Sequence, residues 1–323
     1  MTTALIEVRD LCVEFGPRSR PIQAVSGVDL TIEPGEIVGI AGESGSGKTT
    51  LCAALIRALP RTARVSGDVT FENRSIFAMS PSELRKLRGR EISMILQNPM
   101  TSLDPLFTIG NQLAEVLSTR GGTAASAMLA REIELLRSVH LTAPEARLRQ
   151  YPHELSGGMR QRILIAMASA TAPKLLLADE PTTALDATIQ EEILVLFREI
   201  RDLYGTAIAI ITHDLGVIRR ICDRVIVMYA GRIVEEGPVE TVFTAPQHPY
   251  TRALLASIPV LDEDRVILQA IPGQVPNLAD LGNFCPFAQR CPMVVNRCRV
   301  ESPSERLIGE RHRVFCWRAG EAA

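Results

Sequence analysis

The stretch GESGSGKTT at residues 42–50 restricts this chain more than any other. It satisfies the pattern G-x-x-x-x-G-K-[ST], in which a Gly-rich turn bends so tightly that successive backbone N–H groups converge on one anion. Gly42, Gly45 and Gly47 supply the bend, with Ser44 and Ser46 between them. A helix expected to begin near Lys48 brings the positive end of its dipole to the same point. In such a turn Lys48 neutralises β/γ-phosphate charge, and the hydroxyl of Thr49, which Thr50 follows, is a magnesium ligand. An ordinary Gly/Ser turn capping a helix is the plainer alternative. The flanks speak against it: GEIVGIAG (35–42) reads as a strand running into the turn, and LCAALIRAL (51–59) as a helix ending at Pro60.

The rest of the chain supplies the sheet that such a turn needs. KLLLAD (174–179) and TAIAIIT (206–212) are unbroken apolar runs of strand length, as buried parallel strands require. A helix from Ile189 to Leu203 fits between them, and strand–helix–strand alternation predicts an α/β fold with a parallel sheet. Residues 5–40 alternate apolar and polar, with turn signals at Gly16-Pro17 and Pro34-Gly35, which predicts strands and hairpins. Residues 110–150 have helical apolar spacing through Leu113, Val116, Leu117, Ile133, Leu135, Leu136 and Val139. After about Thr244 prolines recur at 246, 249, 259, 272, 276, 286 and 292, and no long periodic segment follows. An appended, loop-rich extension is expected there, not a continuation of the sheet.

Several classes are disfavoured by composition. With 46% apolar and 22% charged residues in 323, the chain can build a sizeable core. A net charge of −2 and no basic tail give no support to nucleic-acid binding. The longest apolar runs fall far short of the ~20 residues of a membrane helix, and MTTALIEVRD lacks a secretory pattern. A soluble or peripheral protein of the cytoplasm is expected, without routine disulfides. Cys12, Cys52 and Cys222, scattered among apolar neighbours, read as small buried hydrophobes.

KLLLADEP (174–181) delivers Asp179 and Glu180 at the end of a buried strand, where ligands gather in open parallel sheets. Asp179 is suited to hold Mg²⁺ through water, and Glu180 to orient and polarise an attacking water. An acidic pair that merely ends a strand is common, but beside residues 42–50 that reading loses ground.

At residues 155–159 the chain reads LSGGM, followed by RQR. This resembles the LSGGQ signature of ATP-binding-cassette (ABC) proteins, and the resemblance covers roughly residues 5–245. It implies a P-loop NTPase (RecA-like) parallel-sheet core. An N-terminal antiparallel β subdomain and an α-helical signature subdomain at about 98–165 accompany it. It also implies ATP and Mg²⁺ as ligands and a dimer in which Ser156, Gly157 and Gly158 of one subunit face phosphates held by the other. Other positions follow from it. Phe15 matches an adenine-stacking aromatic, and Gln97 in MILQNP a glutamine contacting metal and water. Asp186 in TALD matches a loop at the dimer interface, and His213 in ITHD a γ-phosphate sensor. Each has a structural alternative: a hairpin Phe, a strand-end Gln, a helix N-cap, a structural His. Met159 departs from the usual Gln, which leaves the Ser and Gly contacts in place.

PQHPYTRALLASIP (246–259) and CPFAQRCP (285–292) resemble the ATPases of peptide, nickel and related importers fed by a binding protein. The division implied is a nucleotide-binding domain at 1–245 and an extension at 246–323. The partners implied are a second, related ATPase subunit, two membrane permease subunits and an extracytoplasmic solute-binding protein, which puts the chain at the cytoplasmic face of the inner membrane. The coupling groove would lie after Gln97 and around 110–150.

Cys285, Cys291, Cys298 and Cys316 crowd this extension with spacing C-x5-C-x6-C-x17-C. Four thiolates could take a [4Fe–4S] cluster or Zn²⁺, with His312 able to replace one; these gaps exceed those of common zinc modules. The Cys-Pro steps resemble cluster sites, members of this importer family carry such a cluster in the extension, and it is the expectation adopted here. Free thiols and disulfides are the remaining alternatives. Di- or oligopeptide import is the leading functional expectation, with nickel or another small solute next. A soluble non-transport ABC ATPase is disfavoured because residues 98–154 leave room only for a compact helical subdomain. The extension disfavours an exporter, and intact Lys48, Glu180 and His213 disfavour a purely regulatory cassette.

Overall fold

The computed structural model of the chain describes residues 4–118, 125–257 and 271–321. It folds as two compact units. Met1–Glu33, Ile37–Ala78 and Ile211–Ala323 make the first, Pro34–Glu36 and Met79–Ile210 the second. Among the described residues the strands are β1 (Ile6–Phe15), β2 (Ile22–Ile32), β3 (Ile37–Ala41), β4 (Arg64–Phe71), β5 (Arg74–Ser75), β6 (Ile92–Ile95), β7 (Leu175–Asp179), β8 (Ala207–Thr212), β9 (Arg224–Tyr229), β10 (Arg232–Pro238), β11 (Arg306–Gly309) and β12 (His312–Val314).

In the first unit, β2-β1-β4-β5 form an antiparallel sheet, with Ile6 opposite Ile32 on one side and Phe71 on the other. β1 turns Ile6, Val8, Leu11 and Val13 inward. Its two-residue alternation slips by one step between Val8 and Leu11, where Asp10 has φ 45°. One extra residue thereby keeps both halves of the strand facing the core. A second group runs β11-β12-β10-β9-β3, with β3 parallel to β9. Every residue of β3 and β9 is buried, hence their unbroken apolar character. β9 and β10 are joined through Ala230 and Gly231, at φ 48° and 81°, the backbone that a tight hairpin of the primed type needs. The helix after the Gly-rich turn spans Lys48–Leu55 and stops before the expected Pro60. Arg57 adopts φ 52°, Arg57 N–H bonds Ala54 O (2.9 Å) and Ala58 N–H bonds Ala53 O (2.7 Å), which closes the helix end locally.

The extension departs from expectation. Its hairpin β11–β12 continues the sheet, with β12 antiparallel to β10 through Glu235↔Val314 and Glu236↔Arg313. These strands are so short, and β11 so exposed, that they leave no hydrophobic alternation to read. Beneath them lies a buried carboxylate. Glu235 accepts the N–H groups of Gln247 (2.8 Å) and His248 (2.9 Å) and faces His312 Nε2 at 2.8 Å.

In the second unit, β6 lies parallel to β7, and β8, as far as Ile210, flanks β7 on its other side. The helix Ala187–Tyr204 buries Ile193, Leu194, Leu196, Phe197 and Ile200 on one face, and Gly205 closes it at φ 67°. Helices Ile109–Ser118, Ala125–Ser138 and Pro144–Arg147 occupy the predicted helical region. Residues 119–124 of that region, and the end of the 246–259 stretch, lie outside the described residues. No helix among the described residues is long and apolar enough to cross a membrane.

Candidate functional site

In the first unit the turn 42–50 joins β3 to the helix Lys48–Leu55. Gly42 and Gly47 have φ 150° and 97°, and a Cβ on either would sit 2.2 Å from a backbone oxygen, Met228 O or Ala24 O. Only glycine fits at both places. Lys48 is buried, and its Nζ bonds Gly42 O (2.7 Å), Glu43 O (2.9 Å) and Ser46 Oγ (3.3 Å). The ammonium is thus fixed over the turn. Ser44, Gly45 and Thr49 are exposed, and Thr50 is half-buried. The helix start has no side-chain cap. Its first N–H groups are therefore not satisfied by a side chain, as at an anion site. Phe15 ends β1 half-buried, opposite Ile22. His213 is exposed after β8, just before Asp214, which caps the helix Leu215–Ile221 by accepting Gly216 N–H (2.8 Å).

In the second unit β7 carries Asp179 to its end, 2% exposed, and the chain turns at Glu180, whose φ is 48°. A left-handed non-glycine residue at a strand end costs free energy and is typical of functional sites. Glu180 Oε2 accepts from Gln97 Nε2 (3.1 Å) and from Thr183 Oγ1 (2.8 Å). Gln97 and Glu180, far apart in sequence, meet here. Thr183 was missed by the sequence reading, which passed over it within TALD; a hydroxyl three residues after a carboxylate at a tight turn is the signal that was present. Ser156 and Asp186 both cap helices, accepting Met159 N–H (3.3 Å) and Ile189 N–H (3.0 Å). The two caps are neighbours: a Cβ on Gly157 would meet Leu185 Cδ2 at 3.8 Å, and one on Gly158 would meet Ile189 Cγ2 at 2.8 Å.

The four late cysteines are brought together. Cys285, Cys291, Cys298 and Cys316 line one small cavity with Phe287, Trp317 and His248. Burial pushes the Cys285 thiol up to about 12, and neighbouring thiols add to it; Cys291 and Cys316 are also raised, again chiefly by burial. A cation among these sulfurs would remove that penalty, so the donor chemistry suits a metal centre. Even so, no group of three or more His, Cys, Asp or Glu among the described residues forms a metal-binding set, and the expected [4Fe–4S] site gains no support from it. None of Cys285, Cys291, Cys298 and Cys316 forms a disulfide, against the disulfide alternative. His312, the alternative ligand, lies against Glu235; the histidine on the cavity is His248.

Comparison with known proteins joins these pieces. The ABC transporter family model matches residues 25–183, and that for the oligopeptide/dipeptide transporter C-terminal region matches residues 234–298. A probable peptide ABC transporter ATP-binding protein of Sinorhizobium fredii is 47% identical, covering 98% of this chain and 96% of that protein. The chain is an ABC transporter ATPase. The oligopeptide transport ATP-binding protein OppD of Salmonella typhimurium is 46% identical over 93% of this chain and 90% of its own. The dipeptide transport ATP-binding protein DppD of Escherichia coli is 43% identical over 97% and 96%. Among solved structures, an ABC cassette dimer holding ADP and Pi after hydrolysis matches with TM-score 0.65 and 30% identity, over 72% of this chain and 98% of that one. The ABC ATPase therefore has the α/β P-loop NTPase fold expected from residues 42–50 and 174–180.

Proposed function

We propose that this ABC ATPase drives uptake of di- or oligopeptides by a binding-protein-dependent importer. The observation carrying the cargo class is the match of residues 234–298 to the oligopeptide/dipeptide transporter C-terminal region, on a chain whose relatives transport peptides. The nucleotide-binding domain is taken as 1–245, with its helical subdomain at about 98–165, and the extension as 246–323. Two permease subunits, a solute-binding protein and a second, related ATPase complete the assembly at the cytoplasmic face of the membrane.

In this reading the amides of 42–47 and Lys48 cradle the phosphates of ATP, with Ser44, Ser46, Thr49 and Thr50 around them. Thr49, Asp179 and Gln97 hold Mg²⁺, which supplies charge neutralisation on the phosphates. Glu180 holds and polarises the attacking water; Gln97 and Thr183 orient its carboxylate, as their bonds to Oε2 support. His213 contacts the γ-phosphate and Phe15 stacks on adenine. Ser156, Gly157, Gly158 and Asp186 serve the nucleotide of the partner ATPase. The four cysteines, which line one cavity, would be the ligands of a [4Fe–4S] cluster, and such a cluster would staple the extension. Reconstitution with the permease and binding protein tests the function: ATPase activity should rise with peptide-loaded binding protein and vanish in Lys48→Ala. Stimulation by nickel but not peptides, or turnover indifferent to the permease, would overturn it.

A further inference from the structure

Glu43 stands second in the phosphate turn, a position the motif leaves open. Its carboxylate takes both terminal nitrogens of Arg290, at 2.7 Å and 3.1 Å. Arg290 belongs to the extension, one residue before Cys291 on the loop that lines the cysteine cavity, and its side chain is 5% exposed. All its N–H donors are used. Nε bonds Pro272 O (2.8 Å), the second donor of Nη1 bonds Tyr229 Oη (3.2 Å), and that of Nη2 bonds Ile271 O (3.2 Å). A buried guanidinium satisfied at every donor has one geometry and holds its carboxylate in one place.

The backbone of the same glutamate is tied as well. Glu43 N–H donates to Tyr250 Oη at 2.9 Å, and Tyr250 is fully buried, with its ring 4.6 Å from that of Tyr229 and 5.4 Å from that of Phe287. The other end of this residue, Glu43 O, is one of the two carbonyls that hold Lys48 Nζ. An unbroken line of contacts therefore leads from the extension through Arg290 and Tyr250 to Glu43, and from Glu43 to the phosphate-binding ammonium.

We propose that Arg290 and Tyr250 are positioning residues of the nucleotide site, holding Glu43 so that the turn 42–48 is preorganised for phosphate and the extension sets affinity for ATP. The proposal rests on residues 42–50 being the phosphate turn, for which Lys48→Ala is the control. If Lys48→Ala binds nucleotide as tightly as the wild type, that assignment fails, and not merely the role of the clamp.

Arg290→Ala would leave the half-buried Glu43 carboxylate without its cation and a void where the guanidinium packs, and is a poor test. Tyr250→Phe removes only the acceptor of Glu43 N–H, and Arg290→Lys keeps the charge while losing the two-pronged grip. Equilibrium binding of a fluorescent ATP analogue to the full chain, with kcat and KM for ATP in the intact transporter, reads the outcome. Each variant should weaken nucleotide binding and raise KM, Arg290→Lys about tenfold, the worth of one charge-assisted hydrogen bond, and Tyr250→Phe about fivefold, the worth of a neutral one, with kcat within about twofold. Glu43→Gln should behave like Arg290→Lys, and the double variant should be no worse than either, because both break one link. Unchanged affinity in folded Tyr250→Phe and Arg290→Lys, or fully additive losses in the double variant, would overturn the proposal. A loss of kcat in step with the folded fraction, at unaltered KM, would overturn it too, since that is what a purely structural contact gives.

Discussion

Two adjacent glycines in the signature turn, Gly157 and Gly158, make opposite predictions for the same substitution. Neither has left-handed backbone, and both lie in the helix Gly157–Ser169, so alanine should gain up to about 1 kcal/mol of helix propensity at either. At Gly157 the new Cβ meets Leu185 Cδ2 at 3.8 Å, an ordinary contact. At Gly158 it meets Ile189 Cγ2 at 2.8 Å, closer than carbon atoms approach, and either Ile189 or the helix must shift. Overpacking of this kind costs about 1–3 kcal/mol. The unfolded-state effect of Gly→Ala is common to both and cancels in the comparison. Gly158→Ala should therefore be less stable than Gly157→Ala by about 2 kcal/mol, or about 3 °C in thermal midpoint for a chain of this size. Thermal unfolding of the full chain followed by circular dichroism measures it. Ile189→Ala removes the clashing methyl, so in the double variant the penalty of Gly158→Ala should disappear, a coupling of about 1–2 kcal/mol. Equal midpoints for the two glycine variants, or no rescue by Ile189→Ala, would refute the packing argument.

Glu180→Gln should bind ATP nearly as well as the wild type and turn it over on the order of 10²-fold more slowly; wild-type-like turnover in the transporter would remove Glu180 from the role of water-orienting base. Ser156→Arg should spare nucleotide binding by the isolated subunit and impair hydrolysis in the assembled pair; loss of binding as severe as in Lys48→Ala would contradict a site shared between subunits. Burial raises the pKa of Glu235, but its contacts with His312 and with the backbone N–H groups of Gln247 and His248 work against that, and the net value lies below the ordinary 4.5. The carboxylate thus contributes stability above pH 4.5 that is lost as the pH falls through its folded value. Glu235→Gln should cost about 1–3 kcal/mol at neutral pH and flatten this acid limb, as urea titrations at several pH values will show. Protein purified without oxygen should contain about four irons per chain and lose its colour on Cys291→Ser; stoichiometric zinc, or neither metal, would exclude the cluster.

What could be read along the chain was what short stretches encode. Residues 42–50 and 174–180 state their chemistry locally, because the turn needs glycine at fixed offsets and a buried strand must be apolar throughout. The helix 187–204 was expected over 189–203, from the space between two strand-like apolar runs. The clamp on Glu43 was not: Arg290 lies 247 residues away in sequence, and no periodicity connects them. Thr183 was hidden differently: a hydroxyl three residues after a carboxylate was the one local signal, and the pairing it makes depends on Glu180 adopting φ 48°. The addition of β12 to β10 escaped notice because three residues, His312–Val314, are too few to show alternation.

That added strand bears on how such subunits can be taken apart or recombined. β10 lies before the proposed division at residue 245, and its outer edge is covered by β12 from beyond it. A chain cut after 245 would expose the N–H and C=O groups of that edge, an invitation to intermolecular pairing, and would leave the Glu235 carboxylate without His312. The extension thus acts as a lid on a raw sheet edge, and a cassette excised at the proposed division should come out insoluble. Exchange of cargo-class extensions between transporters would have to carry β10 and β12 together as one graft, with Glu235, His248 and His312 matched in the same move.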